Sequence, residues 1–157
     1  IMSVYAHFGY DLPHSSSALR GVGRGVSYAE AQPGDIICYS GHVAIYIGGG
    51  AITDDAGAEV LALAEKIDAP IGCTMMGISA VPSSNPRWLG MEGMHGHYAS
   101  SIAQNEADLI ITAGCRFSDR GTGNTAKYAR NAKIIHMDID ASELCKNIPV
   151  ELGMTGP

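Results

Sequence analysis

The run Asp108-Leu109-Ile110-Ile111-Thr112-Ala113 is apolar almost without a break. A strand of that kind has to be covered on both faces, which is the habit of parallel sheets shielded by helical crossovers. Ala132 to Asp138 is a second such run, and Val43-Ala44-Ile45-Tyr46-Ile47 a third, far upstream. Between them, Ala58 to Ile67 sets Val60, Leu61, Leu63, Ala64 and Ile67 at helical spacing, with Asp54-Asp55 placed to cap the helix and Pro70 to end it. Ile71 to Thr74 reads as a strand, Met75 to Gly96 as a long loop, Tyr98 to Glu106 as a helix and Thr125 to Arg130 as a short helix. This alternation predicts β-α-β units with right-handed crossovers, hence an α/β fold whose ligands bind beyond the carboxyl ends of the strands.

Residues 1–50 read differently. A short helical stretch, Val4 to Phe8, leads into a turn-rich segment, Gly9 to Gly25. Pro33-Gly34 signals a turn before Ile36-Ile37-Cys38-Tyr39, and Ser40-Gly41 breaks that run before Val43. Two β-rich runs about a tight break predict an antiparallel hairpin. The second run can equally open the parallel sheet.

Composition narrows the function. A formal net charge of −6 and a pI near 5.4 argue against nucleic acid or an anionic membrane surface as partner. No apolar run approaches the roughly 20 residues of a spanning helix. The four cysteines, Cys38, Cys73, Cys115 and Cys145, contain no C-x-x-C pair and sit among aliphatic residues. They read as core thiols in a reduced, cytoplasmic setting rather than as metal ligands, and no metal site is expected. The chain opens Ile1-Met2-Ser3 with no signal-peptide pattern, and a start at Ile1 fits a fragment or a processed chain.

Several strand-end segments can carry chemistry. Gly48-Gly49-Gly50 follows one strand and precedes a helix, where glycines let backbone N–H groups approach a phosphate. Thr53 stands where the full dinucleotide fingerprint needs glycine, so a plain strand-to-helix turn reads as well. Gly114-Cys115-Arg116-Phe117-Ser118-Asp119-Arg120 follows another strand, and its arginines can clamp a pyrophosphate or pair with Asp119. His136-Met137-Asp138-Ile139-Asp140 ends the last strand with acids suited to a ribose or to capping the next helix. Met91, Met94 and His95 form an adaptable wall for a flat ring, or core filling. His42 can be the base of a thiol nucleophile or a structural histidine; no cysteine precedes Cys38 to supply the thiol. Gly21-Val22-Gly23-Arg24-Gly25 precedes no strong helix and is not read as a phosphate loop.

These stretches together resemble a known family. Gly48-Gly49-Gly50-Ala51-Ile52, Thr74-Met75-Met76-Gly77, Leu89 to Gly96, Arg116 to Asn124 and Ile135 to Asp140 make residues 51–157 similar to the central domain of the acetolactate synthase large subunit, a thiamine-diphosphate enzyme. The resemblance implies a parallel Rossmann-like sheet that holds FAD non-catalytically. It implies FAD contacts from Gly48, Gly49, Gly50, Thr74, Met75, His95, Gly96, Gly114, Arg116, Asp119, Arg120, Asp138, Ile139 and Asp140. Thiamine diphosphate and Mg belong to the complete enzyme, whose other domains supply their binding groups; carboligation by this chain is therefore not expected. Homo-oligomers are the family's assemblies.

Residues 4–50 instead resemble the second half of an NlpC/P60 cell-wall peptidase domain, through Phe8-Gly9, Leu12 to Ser16, Gln32-Pro33-Gly34-Asp35 and Gly41 to Gly48. That resemblance makes His42 the family's catalytic histidine, with the cysteine it would serve lying before Ile1. The two resemblances imply a chimera: a peptidase-like segment over 1–42, a short α+β or hairpin piece, and a central-domain segment over 43–157, joined within 45–50. A nucleotide-cofactor-binding unit, an inert chimera and a peptidase fragment without its nucleophile are the three functions so implied.

Overall fold

The computed structural model describes residues 9, 11, 22–24 and 42–156. The chain divides into two units, Ile1–Ser40 and Gly41–Pro157, of which the second carries the described elements. The expected helix at Val4–Phe8 and the run Ile36–Tyr39, with Cys38 in it, lie outside the described residues, as do Gly21 and Gly25 at the ends of the Gly21–Gly25 segment.

Among the described residues six strands form one sheet: β1 Val43–Ile47, β2 Ile71–Cys73, β3 Trp88–Met91, β4 Leu109–Ala113, β5 Lys133–Asp138 and β6 Leu152–Thr155. Their order is β3-β2-β1-β4-β5-β6, and every ladder is parallel. The expected α/β parallel sheet is what the residues build. β1 lies between β2 and β4, with both edges in parallel ladders. It is therefore the first strand of the sheet and not an arm of an antiparallel hairpin. From β1 the chain winds outward to β3, then returns to β4 and winds the other way. That reversal opens a crevice beyond the carboxyl ends of β1 and β4.

Each face has its own cover. On one, α2 Gly57–Ile67 buries Val60 and Ala64 against Ile45, Ile47, Ile71 and Cys73. Each isoleucine so removed from water contributes about 1.5–3 kcal/mol. Asp54 and Asp55 do not cap this helix: it starts from Ala56 without a side-chain bond, after the single turn α1 Gly50–Thr53, which ends at Asp54. Asp55 lies between the two helices at φ 52°, a turn geometry that short acids tolerate. On the other face α3 Tyr98–Glu106 buries polar groups, Ser100 donating to the Gly90 carbonyl at 3.0 Å and Gln104 to that of Ile45 at 3.1 Å. Beside it Ala44, Tyr46, Ile110, Cys115, Phe117, Tyr128 and Ile134 form a second core cluster.

The expected helix over Thr125–Arg130 is a string of turns. Asn124 accepts from the Ala126 amide through its side chain, and Ala129 takes φ 40°, which stops a helix from propagating. The expected loop Met75–Gly96 contains β3, which pairs with β2 through a register shift. The exposed β6 forms the opposite edge.

Candidate functional site

The loops beyond the strands' carboxyl ends are laced together by main-chain hydrogen bonds. Thr74 N donates to Ile47 O at 2.8 Å, Glu92 N to Cys73 O at 2.9 Å, Gly114 N to Met137 O at 2.9 Å and Met94 N to Arg120 O at 3.1 Å. Residues 48–50, 74–76, 92–96, 114–120 and 138–140 therefore gather at one end of the sheet, around the β1/β4 crevice.

At the crevice the glycine turn meets the β4 loop backbone to backbone. Gly48 N donates to Ala113 O at 2.9 Å and Gly50 N to Gly114 O at 3.2 Å. A Cβ on Gly48 would lie 2.6 Å from the Gly114 carbonyl carbon, and one on Gly114, at φ +60°, would lie 2.5 Å from Gly50 Cα. Two of the three N–H groups expected to face a phosphate are thus spent on joining two strand ends. The glycines serve close approach of chain to chain. With only four residues, α1 also adds little dipole of its own.

Positive charge comes instead from α4, Asp119–Thr122, and the segment before it. Arg116 and Arg120 are exposed, and neither guanidinium makes an ion pair among the described residues. Asp119 does not hold them; its carboxylate accepts from the Arg120 amide at 2.9 Å and steadies the first turn. Apolar surface is gathered beside them. Met75 is 68% exposed, Met76 71%, Met94 68% and Ile139 67%, all large hydrophobes held in water at the strand ends. Gly49 backs onto Met76, whose Cβ would lie 3.0 Å from a Cβ added there. Thr74 contributes a buried hydroxyl without a partner among the described residues. His95 is exposed, and Gly96 closes a tight turn back to Gly93, its N–H donating to that carbonyl at 2.9 Å.

The acids after β5 do cap the chain. Asp138 accepts from Asp140 N at 2.9 Å, and Asp140 from Ser142 N at 2.8 Å. The bonds from Ser142 hold the Asp140 carboxyl below its ordinary range. Asp138 itself is buried, its second oxygen 3.8 Å from His136 Nε2.

His42 stands at the other end of β1, far along the strand from the crevice. Its amide donates to the Asp108 carboxylate, its ring Nε2 lies 3.1 Å from Ala103 O, and its carbonyl accepts from Asp108 N at 3.0 Å. The residue staples β1 to α3 and β4, the structural of its two readings. Cys73 and Cys115 are core thiols as expected, each pushed up to about 12 by burial. Cys145 departs from expectation: it is exposed, at φ 57° in the loop after β5. No group of three metal-ligating side chains exists among the described residues.

A layer of buried polar groups lies under this site. Glu92, Tyr46, Tyr128, Cys115, Thr112 and His136 share the face that α4 and the 124–131 turns cover. Nothing in the sequence marks it, since tyrosine, threonine and histidine at strand positions read as ordinary alternation. Burial pushes the Glu92 carboxyl up to about 8, against a smaller lowering by the Tyr128 hydroxyl.

The family model for the thiamine pyrophosphate enzyme central domain matches residues 35–157. The chain is 42% identical to the acetolactate synthase large subunit of Haemophilus influenzae over 112 residues, covering 71% of this chain and 20% of that protein. It is 44% identical over 121 residues to the probable acetolactate synthase large subunit of Methanocaldococcus jannaschii, covering 77% of this chain and 20% of that protein. With the acetolactate synthase large subunit of Cyanidium caldarium it shares 45% identity over 103 residues, 66% of this chain and 18% of the relative. The chain thus spans about a fifth of the length of these relatives.

Proposed function

This chain belongs to the thiamine pyrophosphate enzyme central-domain family, and from that premise we propose that it binds a nucleotide cofactor, FAD, as the central-domain part of an acetolactate synthase-like enzyme and is not catalytically complete alone. The observation that carries the reading is the pairing of two kinds of surface at one strand end. Arg116 and Arg120, without an ion-pair partner among the described residues, suit a diphosphate, and the exposed Met75, Met76, Met94 and Ile139 suit a flat apolar ring. The unpartnered Thr74 hydroxyl adds a polar contact, and Asp138 and Asp140 each keep acceptor capacity for a ribose. FAD held there supplies a rigid structural ligand rather than redox chemistry, as the resemblance implies. Thiamine diphosphate and Mg would act only in the assembled enzyme, which we propose to be a cytoplasmic homo-oligomer. Among the described residues no helix is long and apolar enough to cross a membrane.

A peptidase-derived segment over 1–42, joined within 45–50, is a proposal that starts from the sequence resemblance. The division of the chain between Ser40 and Gly41 supports it; the family match that begins at residue 35 favours an earlier join. A working hydrolase is not favoured, because His42 spends its ring and backbone on α3 and β4.

Binding is tested by thermal denaturation with added FAD. At a hundredfold excess over Kd the folded state gains about 2.7 kcal/mol, which raises Tm by several degrees. Arg116→Ala and Arg120→Ala should each remove most of that shift while leaving the unliganded Tm within about 2 °C, since exposed substitutions cost little. An unchanged Tm at saturating FAD would sink the reading.

A further inference from the structure

The mechanism of binding leaves one titratable group without a task. Glu92 follows β3, is 5% exposed, and has an oxygen, Oε2, with no partner among the described residues. A buried carboxylate needs a cation or several donors to offset its lost hydration. Neither is present. Tyr46 of β1, Cys73 of β2, Cys115 of the β4 loop and Tyr128 of the 124–131 turns face it, all neutral. From α3 the sheet receives Ser100 and Gln104 and no charge. Arg120 and Asp119 of α4, and His95 and His97 of its own loop, are exposed. Among the described residues no arginine, lysine or histidine acts on the carboxyl, the buried His136 of β5 included.

The loop that Glu92 anchors is in turn wedged under α4. Gly93 lies against the Arg120 carbonyl, with room for no side chain, and a Cβ there would sit 2.9 Å from Gly121 Cα. Met94 N donates to Arg120 O, and Gly121 covers the Tyr46 hydroxyl. Residues 92–96 and 119–122 therefore move together or not at all. We propose that Glu92 is a proton-controlled latch: as the neutral acid it stays buried and clamps the 92–96 loop against α4, and as the carboxylate it turns out to water and releases both. The proton passes to solvent, and no other bond is made or broken. The latch does not depend on which ligand the site takes.

The sign of the pH effect follows from the two states. In the released loop the carboxyl has its ordinary value of about 4.3, and in the clamped loop about 8. Release is uphill by a constant amount below the first value, becomes about tenfold easier per pH unit between them, and levels off above the second. Hydrogen exchange of the whole chain, corrected for the intrinsic pH dependence, reads this directly. Amides of 92–96 and 118–122 should lose at least about 100-fold in protection between pH 5 and 9, while those of β4 and β5 stay protected at pH 9. Glu92→Gln and Glu92→Leu, which carry no titrating group, should show no such loss. Equal losses in wild type and both variants, or loop amides that exchange only together with β4 and β5, would overturn the latch.

Discussion

Replacing Gly114 with alanine should be among the most damaging single changes the chain can suffer, lowering Tm by about 8–20 °C. The new Cβ would meet Gly50 Cα at 2.5 Å and the Ala51 nitrogen at 2.8 Å, and both neighbours are backbone, which has little freedom to give way. Overpacking of this kind costs about 1–3 kcal/mol. The left-handed conformation, at φ +60°, adds about 1–2 kcal/mol for any residue with a Cβ. A total of about 2–5 kcal/mol is a large part of the 5–15 kcal/mol that holds an ordinary domain, and about 4 °C is lost per kcal/mol at this size. Gly123→Ala is the comparison without a contact. Gly123, at φ +60° and ψ −127°, has nothing within 4 Å of the added carbon, so backbone strain alone should remain, about 1–3 kcal/mol. Equal Tm losses at the two positions would show that contact between the β1 and β4 loops is not what the glycine serves.

That contact also marks how far the sequence could be read. Strands β1, β4 and β5 were legible because, apart from Lys133, their residues are buried or half-buried on both faces, and cover on both sides writes itself as a nearly unbroken apolar run. The helix over Gly57–Ile67 was legible by its spacing, and Val60 and Ala64 are its buried residues. β3 was not, because its ladder with β2 shifts register and Gly90, at φ +86°, interrupts the run. β6 was not, because an exposed edge strand has no buried face to impose alternation. In the site, the clustering of the strand ends followed from the fold class, and with it the grouping of the 48–50, 74–75, 95–96, 114–120 and 138–140 segments. The purpose of the glycines did not follow. A glycine chosen so that a ligand can approach and one chosen so that another loop can approach are the same letter, and only the partner across the gap tells them apart. The Glu92 layer was hidden for a related reason. Its members come from five separate segments, and no local pattern records a meeting in space.

The aromatic cluster that carries Arg116 supplies the second large effect. Phe117 is 2% exposed and sits between three rings, with centroids 5.9 Å from Tyr46, 6.0 Å from Tyr128 and 5.2 Å from His136. It does so at φ 49°, a conformation that a bulky side chain seldom accepts. The ring must therefore contribute more than the strain takes away. Phe117→Ala removes the packing and keeps the strained backbone, and should cost about 3–5 kcal/mol. Phe117→Gly removes the same ring but relieves the left-handed strain, a gain of about 1–2 kcal/mol set against about 0.5–1 kcal/mol of added chain entropy. The glycine variant should thus be at least as stable as the alanine variant, reversing the order seen at ordinary buried positions. Chemical denaturation of the two variants beside wild type measures this. A glycine variant clearly less stable than the alanine one would mean that the backbone at Phe117 relaxes once the ring is gone. Arg116 would then owe its place to the ring alone. The predicted order instead assigns that place to the turn, with the aromatic cluster holding the turn in a conformation it would not otherwise keep.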